Sequence, residues 1–119
     1  MSVVSLPMRA EVLKGHLDGL LLAALEDEPQ HGYAVIEMLR TRTGGSLDLP
    51  TGTVYPALHR LERAGLISSS WLASSPRARR VYKLTAAGRR RLRDSRATWA
   101  EFSSAVTAVL DGRPWSARA

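Results

Sequence analysis

The sequence predicts a mainly α-helical protein with a small β-hairpin, built as a winged helix-turn-helix with a long C-terminal dimerisation helix. Residues 51–67 have helical apolar spacing that stops at Gly65 and passes directly into a strand. Residues 80–84 supply a second strand, so a hairpin follows this helix. Residues 86–110 form a last helix whose apolar residues recur in a narrow seam. A two-faced helix followed by a hairpin is typical of a recognition helix and its wing.

The composition limits the class of protein. With 119 residues, 45% of them hydrophobic, the chain predicts one domain with an added helix. The absence of cysteine excludes disulfides, thiolate zinc sites and cysteine nucleophiles, and it fits a reducing compartment. The longest apolar run, residues 20–25, is too short to cross a bilayer, and the first residues lack a signal-peptide pattern. We therefore expect a cytoplasmic protein without a membrane partner.

Basic charge is concentrated in the second half of the chain. Residues 1–50 carry four basic and seven acidic side chains (−3), whereas residues 51–119 carry thirteen basic and four acidic ones (+9). Fifteen of the seventeen basic residues are arginine, which favours bidentate contacts with phosphate or guanine. This polarity predicts a polyanionic partner for the second half. For the basic run between Arg77 and Arg96, a solvated helix face is the alternative.

The first half predicts two helices. An apolar stripe over residues 8–27 indicates one helix after a mobile arm at residues 1–7, although Gly15 and Gly19 lower its propensity or mark a close helix contact. Residues 31–43 indicate a second helix of about a dozen residues, which ends at Gly44. Residues 46–50 then connect it to the recognition helix.

The recognition helix contains a proline that constrains where it begins. Val54, Leu58 and Leu61 define its buried face. With Thr53 as N-cap, Pro56 falls at the third helical position, where a missing N–H costs no intrahelical hydrogen bond. The sequence therefore predicts a helix start near Thr53. This start places Thr53 and Tyr55, in preference to Arg63, where they reach the bases.

The hairpin and the last helix complete the prediction. Strands over residues 66–72 and 80–84 enclose a polar, basic tip at residues 73–79, which suits a phosphate or minor-groove contact, with an ordinary solvated loop as the alternative. Thr85 is the expected N-cap of the last helix. The predicted dimer interface is its apolar seam, namely Leu92, Trp99, Phe102, Val106 and Val109. A helix folded back on its own domain is the alternative. The predicted organisation is residues 1–85 as the winged domain, 86–110 as the dimerisation helix and 111–119 as a flexible tail.

Several motifs carry a family resemblance. They are His31-Gly-Tyr33, Thr53-Val-Tyr-Pro-Ala-Leu58, Arg60-Leu-Glu62 with Gly65-Leu-Ile67, and Arg79-Arg-Val-Tyr-Lys-Leu-Thr85 with Gly88. Together, over about residues 11–110, they resemble the PadR family of transcriptional regulators, in its short-tailed subfamily with one C-terminal helix. The resemblance implies a dimeric winged helix-turn-helix repressor of a bacterial cytoplasm. It also implies a recognition helix in the major groove, a wing on the DNA backbone or minor groove, and a dimer made by the last and first helices.

The resemblance also implies a ligand site. Some multidrug-sensing members bind flat aromatic compounds between paired tryptophans on the last helix, and Trp99 occupies the similar place here. Trp99 and Phe102 are therefore candidate ligand-binding residues, and a buried interface tryptophan is the alternative. No cofactor or metal is expected, because the three histidines lie on different segments without metal-ligand spacing.

The leading hypothesis is a dimeric, sequence-specific DNA-binding regulator, a repressor released by a small aromatic effector. Threonine, tyrosine, histidine and arginine all donate hydrogen bonds to phosphates or base edges. The candidate DNA-binding residues are Tyr33, Thr53, Tyr55, His59, Arg60, Arg77, Arg79, Arg80 and Lys83. A dimer would read a pseudo-palindromic operator in double-stranded DNA. The alternative is a winged-helix protein–protein interaction adaptor without specific DNA binding. An enzyme is not expected, because no nucleophile elbow or phosphate-binding glycine loop occurs.

Overall fold

A computed structural model of the chain describes residue 13, residues 15–72 and residues 79–112. Within these residues the fold is mainly helical with a small sheet, as predicted. The helices are α1 (Leu17–Ala24), α2 (Gly32–Arg42), α3 (Thr51–Arg63) and α4 (Ala86–Leu110), and the strands are β1 (Gln30–His31), β2 (Ile67–Leu72) and β3 (Arg79–Leu84). The β2–β3 hairpin is the wing. The predicted arm at residues 1–7, the hairpin tip at residues 73–78 with Arg77, and the tail from residue 113 onward lie outside the described residues.

The first helix is shorter than the apolar stripe predicts. Gly15 has φ +88°, in the left-handed region, so a right-handed helix cannot pass through it. The chain makes a turn there, in which His16 N donates to the Leu13 carbonyl at 2.8 Å. Helix α1 begins only at Leu17, and the prediction of one helix over residues 8–27 is wrong. Gly19, by contrast, does mark a close helix contact, since a Cβ there would lie 3.2 Å from Ser95 on α4.

Helices α2 and α3 form the helix-turn-helix. The His31 ring caps α2, because its Nδ1 accepts from the Ala34 N–H at 3.3 Å. Gly44, at φ +59°, ends the second helix as predicted. Leu47 and Leu49 in the connection are both buried, so the turn between the two helices is packed into the core. The core therefore fixes the orientation of α3 relative to α2.

Helix α3 begins earlier than predicted. Its N-cap is Pro50, whose carbonyl accepts from Thr53 N at 3.0 Å and from Val54 N at 3.1 Å, so the prediction that Thr53 is the N-cap is wrong. Pro56 is consequently the sixth residue of the helix and removes the donor that the Gly52 carbonyl would use. Gly52 and Pro56 are both exposed, so water can take the place of that donor.

Gly65 ends α3 with a Schellman motif. Gly65 N donates to the Glu62 carbonyl and Leu66 N donates to the Leu61 carbonyl, each at 3.0 Å, with Gly65 at φ +78°. Thr85, at the start of α4, donates from Oγ1 to the Gly65 carbonyl at 2.7 Å. The end of the recognition helix is thereby joined to the beginning of the last helix.

The sheet has one strand more than predicted. Its order is β1-β3-β2, and all pairs are antiparallel. The cross-strand pairs of the wing include Ile67 with Leu84, Ser69 with Tyr82 and Trp71 with Arg80. Strand β1 is only two residues long and pairs Gln30 with Tyr82 and His31 with Val81. Two residues carry no alternation, so this strand had no signal in the sequence.

The core lies where α1, α2, α3 and the sheet meet. Its fully buried large side chains are Leu21, Leu22, Leu25, Val35, Val54, Leu58, Leu61, Ile67 and Tyr82. Burial raises the pKa of the Tyr82 hydroxyl above its usual value. The first turns of α4 belong to this core too, because Leu92 is only 3% exposed. Leu92 therefore packs within its own chain, and its prediction as a dimer-interface residue is not supported.

Helix α4 has the bounds that the sequence predicts. The Thr85 side chain caps it by accepting from Gly88 N at 3.0 Å. An ion pair fastens its middle to the end of α1, because Arg96 donates two hydrogen bonds to the Glu26 carboxylate at 2.7 and 2.8 Å. These bonds hold the pKa of Glu26 below its usual value and raise the pKa of Arg96. Beyond this point α4 carries exposed apolar side chains.

Gly88 provides a stability test, because a Cβ at this position would lie 1.9 Å from the Leu66 carbonyl oxygen. We expect Gly88→Ala to lower the free energy of unfolding by about 1–3 kcal/mol, as overpacking does. Gly52→Ala is the matched control, since a Cβ there has no neighbour within 4 Å and alanine favours helices. Urea unfolding followed by circular dichroism measures both variants. Equal stability of Gly88→Ala and Gly52→Ala would contradict the packing described.

Candidate nucleic-acid interface

Helix α3 presents an exposed stripe opposite its buried face. Gly52, Pro56, His59 and Arg63 recur at intervals of four, three and four residues, and all are exposed. His59, a predicted contact, lies on this stripe. Arg63 lies there as well, although the predicted helix start favoured Thr53 and Tyr55 as base contacts. That ranking depended on the wrong helix start, so Arg63 joins the candidate residues.

The other predicted residues of α3 lie on the two flanks of the stripe. Thr53 is exposed on one flank beside Arg60. Arg60 donates from Nη2 to Asp18 Oδ1 at 2.7 Å, so its guanidinium is tied to α1. Tyr55 lies on the opposite flank and is half-buried, with its ring against Gly32, where a Cβ would lie 2.6 Å away. Tyr55 therefore packs α3 against the start of α2 as well as facing the surface.

Four of the predicted residues line one open cleft of about 700 Å³ between the start of α2, α3 and β3. They are Tyr33, Tyr55, Arg79 and Arg80. Tyr33 is 61% exposed, so its hydroxyl is free to reach a ligand. Two phenols and two guanidiniums supply hydrogen-bond donors for phosphate oxygens. Glu37 also lines the cleft, but its carboxylate is occupied by Arg40 at 2.9 Å.

Arg80 has a structural role in addition to its place in the cleft. Its Nε donates to Ser69 Oγ at 2.8 Å, and its guanidinium lies 5.5 Å from the centre of the Trp71 ring. Its Nη2 also lies 3.8 Å from Glu62 Oε2 on α3, so Arg80 connects the wing to the recognition helix. Arg79 is less constrained, with its Nη1 3.2 Å from His31 Nε2.

Lys83 lies apart from the cleft. It pairs with Ser68 across the hairpin and lines a second cleft of about 550 Å³ together with Pro29 and Leu72. Alternation along β3 puts Lys83 and Arg80 on opposite faces of the sheet. Because Arg77 lies outside the described residues, Arg79 and Arg80 are the predicted wing residues that the structure brings to the cleft.

A cluster of three rings lies between the N-cap of α1 and helix α4. The Trp99 ring centre is 5.5 Å from that of His16, at an interplanar angle of 80°, and 6.2 Å from that of Phe102. Trp99 is 54% and Phe102 52% exposed, and Val109 is 81% exposed. We call Trp99, Phe102 and His16 the aromatic cluster. His16 was not predicted as a site residue, because its ring reaches α4 only through the helix break at Gly15.

Within the described ranges, no group of three His, Asp or Glu side chains is placed to hold a metal ion. Among the described helices, none combines the length and the apolar character that a bilayer crossing requires.

A helix-turn-helix with an exposed basic helix, a wing and a donor-rich cleft between them defines the class of winged DNA-binding regulators. The comparison with known families agrees with this class. Residues 21–94 match the model of the PadR-like family of transcriptional regulators, and the chain belongs to this family. The resemblance inferred from the motifs is thereby confirmed. The family is one of transcriptional regulators and not of enzymes.

Individual relatives are consistent with this assignment. The chain is 47% identical over 55 residues to a transcriptional regulator of Mycobacterium tuberculosis. The aligned segment covers 46% of this chain and 51% of that protein. A PadR family regulator from Eggerthella lenta is 31% identical, with a TM-score of 0.75 over 87% of this chain and 88% of the other. A PadR-like transcription factor from Bacteroides fragilis is also 31% identical, with a TM-score of 0.71 over 84% and 95% of the two chains.

Proposed function

We propose that the protein is a cytoplasmic homodimeric repressor that binds a pseudo-palindromic operator and is released by a small aromatic effector. The observation that carries the proposal is the adjacency of the exposed stripe of α3 to the donor-rich cleft of Tyr33, Tyr55, Arg79 and Arg80. The stripe would enter the major groove, and the cleft would receive the flanking phosphates.

The residues divide into base and backbone contacts in this proposal. His59, Arg63 and Thr53 face the groove, with Arg60 at the flank, because these side chains are exposed on α3. Tyr33 and Tyr55 lie at the start of α2 and beside it, where the backbone would pass. Arg79 and Arg80 would hold the wing on the DNA backbone. Lys83, which lines the second cleft with Pro29 and Leu72, would contribute charge at a distance.

Dimerisation is proposed from the apolar end of α4. Trp99, Phe102, Val106 and Val109 occupy helical spacings of three or four, and three of them are more than half exposed. An exposed apolar seam of this kind on a helix is typical of a surface covered by another protein chain. A twofold axis at this seam would present two α3 helices to successive major grooves, about 34–36 Å apart.

The effector is proposed to bind at the aromatic cluster. Trp99 and Phe102 offer flat, exposed apolar faces, and the His16 ring meets Trp99 edge to face. In a dimer, two such clusters on neighbouring α4 helices could enclose a planar compound. Its insertion would change the angle between the subunits and hence the spacing of the two α3 helices.

DNA binding is tested by salt dependence and by charge removal. Operator sequences are first selected from random duplexes with the wild-type protein. We expect the affinity for them to fall steeply between 50 and 200 mM KCl, with a slope of roughly −0.9 per phosphate contact. Arg79→Ala should make this slope less steep by about 0.9, the value expected for the loss of one phosphate contact. Arg63→Ala should weaken operator binding by about 1–3 kcal/mol, as loss of a base contact does.

Arg96→Ala is the control for this experiment, because it removes the same charge from a side chain that Glu26 already holds. It should change the salt slope less than Arg79→Ala does. Binding that is insensitive to salt and unchanged by Arg63→Ala and Arg79→Ala would refute the proposed DNA-binding surface. Failure of the wild-type protein to enrich any duplex would favour the adaptor function.

The dimer is tested by light scattering. We expect a mass near twice the 13.0 kDa of the chain for the wild type. Phe102→Glu with Val109→Glu should give the monomer, because each apolar side chain removed from an interface costs about 1.5 kcal/mol or more. Glu101→Gln is the control on the same helix segment and should leave the dimer intact. A wild-type monomer would contradict the proposal.

The effector site is tested by tryptophan fluorescence. Planar cationic and phenolic compounds are titrated into the wild type and into Trp99→Ala, which retains Trp71 and Trp115 as a background signal. We expect saturable quenching in the wild type that is lost in the variant. Equal quenching of both proteins by every compound would count against an aromatic effector at this cluster.

A further inference from the structure

One arginine of the recognition helix is held by a residue from a distant part of the chain. Arg60 Nη2 donates to Asp18 Oδ1 at 2.7 Å, across 42 residues of sequence. Both side chains are about half exposed. Asp18 lies in the first turn of α1, and this contact therefore joins α1 to the exposed flank of α3. Neither the motif pattern nor the proposed function assigns a role to Asp18.

The contact leaves most of the guanidinium available. Asp18 takes one hydrogen bond at Nη2, whereas a guanidinium has five N–H donors in a fixed plane. Within the described part of the chain, no other hydrogen bond from Arg60 occurs. Asp18 therefore fixes the direction of the side chain and leaves the N–H groups of Nε and Nη1 free to donate to a base or a phosphate.

Asp18 lies on a helix that is packed into the core. Leu21 and Leu22 on the same helix are fully buried, and they hold α1 in the core. Gly19, the next residue after Asp18, approaches Ser95 of α4 so closely that a Cβ would lie 3.2 Å from the serine Cβ. The backbone beside Asp18 is thus in contact with α4, and the carboxylate has a defined position relative to α3.

We propose that Asp18 is a positioning residue that raises the sequence specificity of DNA binding by restraining Arg60. An arginine that is already held loses less rotamer freedom when it contacts a base edge in the matching geometry. The carboxylate also neutralises part of its charge, so Arg60 gains less from phosphates at unrelated sequences. Asp18 therefore lowers nonspecific affinity more than operator affinity. This inference rests on the proposed DNA-binding function.

The experiment compares Asp18→Asn with the wild type on two duplexes, the selected operator and a scrambled sequence of equal length and composition. Asparagine keeps the shape of the side chain and removes the charge. We expect Asp18→Asn to bind the scrambled duplex about threefold or more tightly, with a salt slope steeper by about 0.9 as the freed Arg60 reaches a phosphate. The ratio of operator to scrambled affinity should therefore fall, by no more than the factor gained on the scrambled duplex, because operator affinity rises less.

Asp27→Asn is the matched control, because it removes one acidic charge whose partner, Arg42 at the end of α2, lies 4.0 Å away. It should leave the affinity ratio unchanged. Arg60→Lys is a second variant that keeps the positive charge but lacks the planar donor set, and it should lower the ratio as Asp18→Asn does. In the Arg60→Lys background, Asp18→Asn should have little further effect on the ratio.

The outcomes separate this inference from the proposed function. If the wild type discriminates between the duplexes and Asp18→Asn keeps the same affinity ratio as Asp27→Asn, the role of Asp18 is refuted while the DNA-binding function stands. If the wild type binds both duplexes equally, the proposed function fails, and this inference fails with it. Circular dichroism at the assay temperature confirms that each variant is folded.

Discussion

The close approach of Gly88 to the Leu66 carbonyl brings the recognition helix, the wing and the last helix together at one joint. Gly65 turns the chain out of α3, Leu66 accepts from Thr85 N at 3.2 Å, and Thr85 caps α4. Only glycine at position 88 leaves room for this arrangement, because any Cβ would overlap the carbonyl oxygen. The stripe of α3 and the wing therefore keep a fixed mutual orientation, which a surface that reads DNA requires.

The arginines differ in whether they already form ion pairs within the protein. Glu26 holds Arg96 and Asp18 holds Arg60, whereas Arg63 on the exposed stripe makes no ion pair among the described residues. Exposed pairs of this kind contribute little to stability, because water and salt screen them. Their larger effect is on DNA binding. The carboxylate fixes the direction of the arginine side chain, and a phosphate must displace the carboxylate or share the guanidinium with it. The arginines of the basic second half of the sequence are therefore not equally available to bind phosphate, although all contribute to its net charge.

Much of this architecture was predictable because it depends on local chemistry. The start of α4 follows from the Thr85 cap. The end of α3 follows from Gly65, because the left-handed conformation there favours glycine. The start of α3 was not predictable from threonine preference, because the Pro50 carbonyl does the capping through its backbone. The break at Gly15 and the two-residue strand β1 depend on tertiary packing and pairing. The candidate site was predicted residue by residue, but Arg63, His16 and Asp18 required the fold.

The first turn of α1 is where these long-range features meet. His16, at its N-cap, touches the ring of Trp99 on α4, while Asp18, two residues later, holds Arg60 on α3. Both contacts are made by side chains only two residues apart at the start of α1. If the proposed effector binds at Trp99 and shifts this turn, the shift would also reach Arg60 within the same subunit. The break at Gly15 makes this arrangement possible, because it starts α1 at the aromatic cluster.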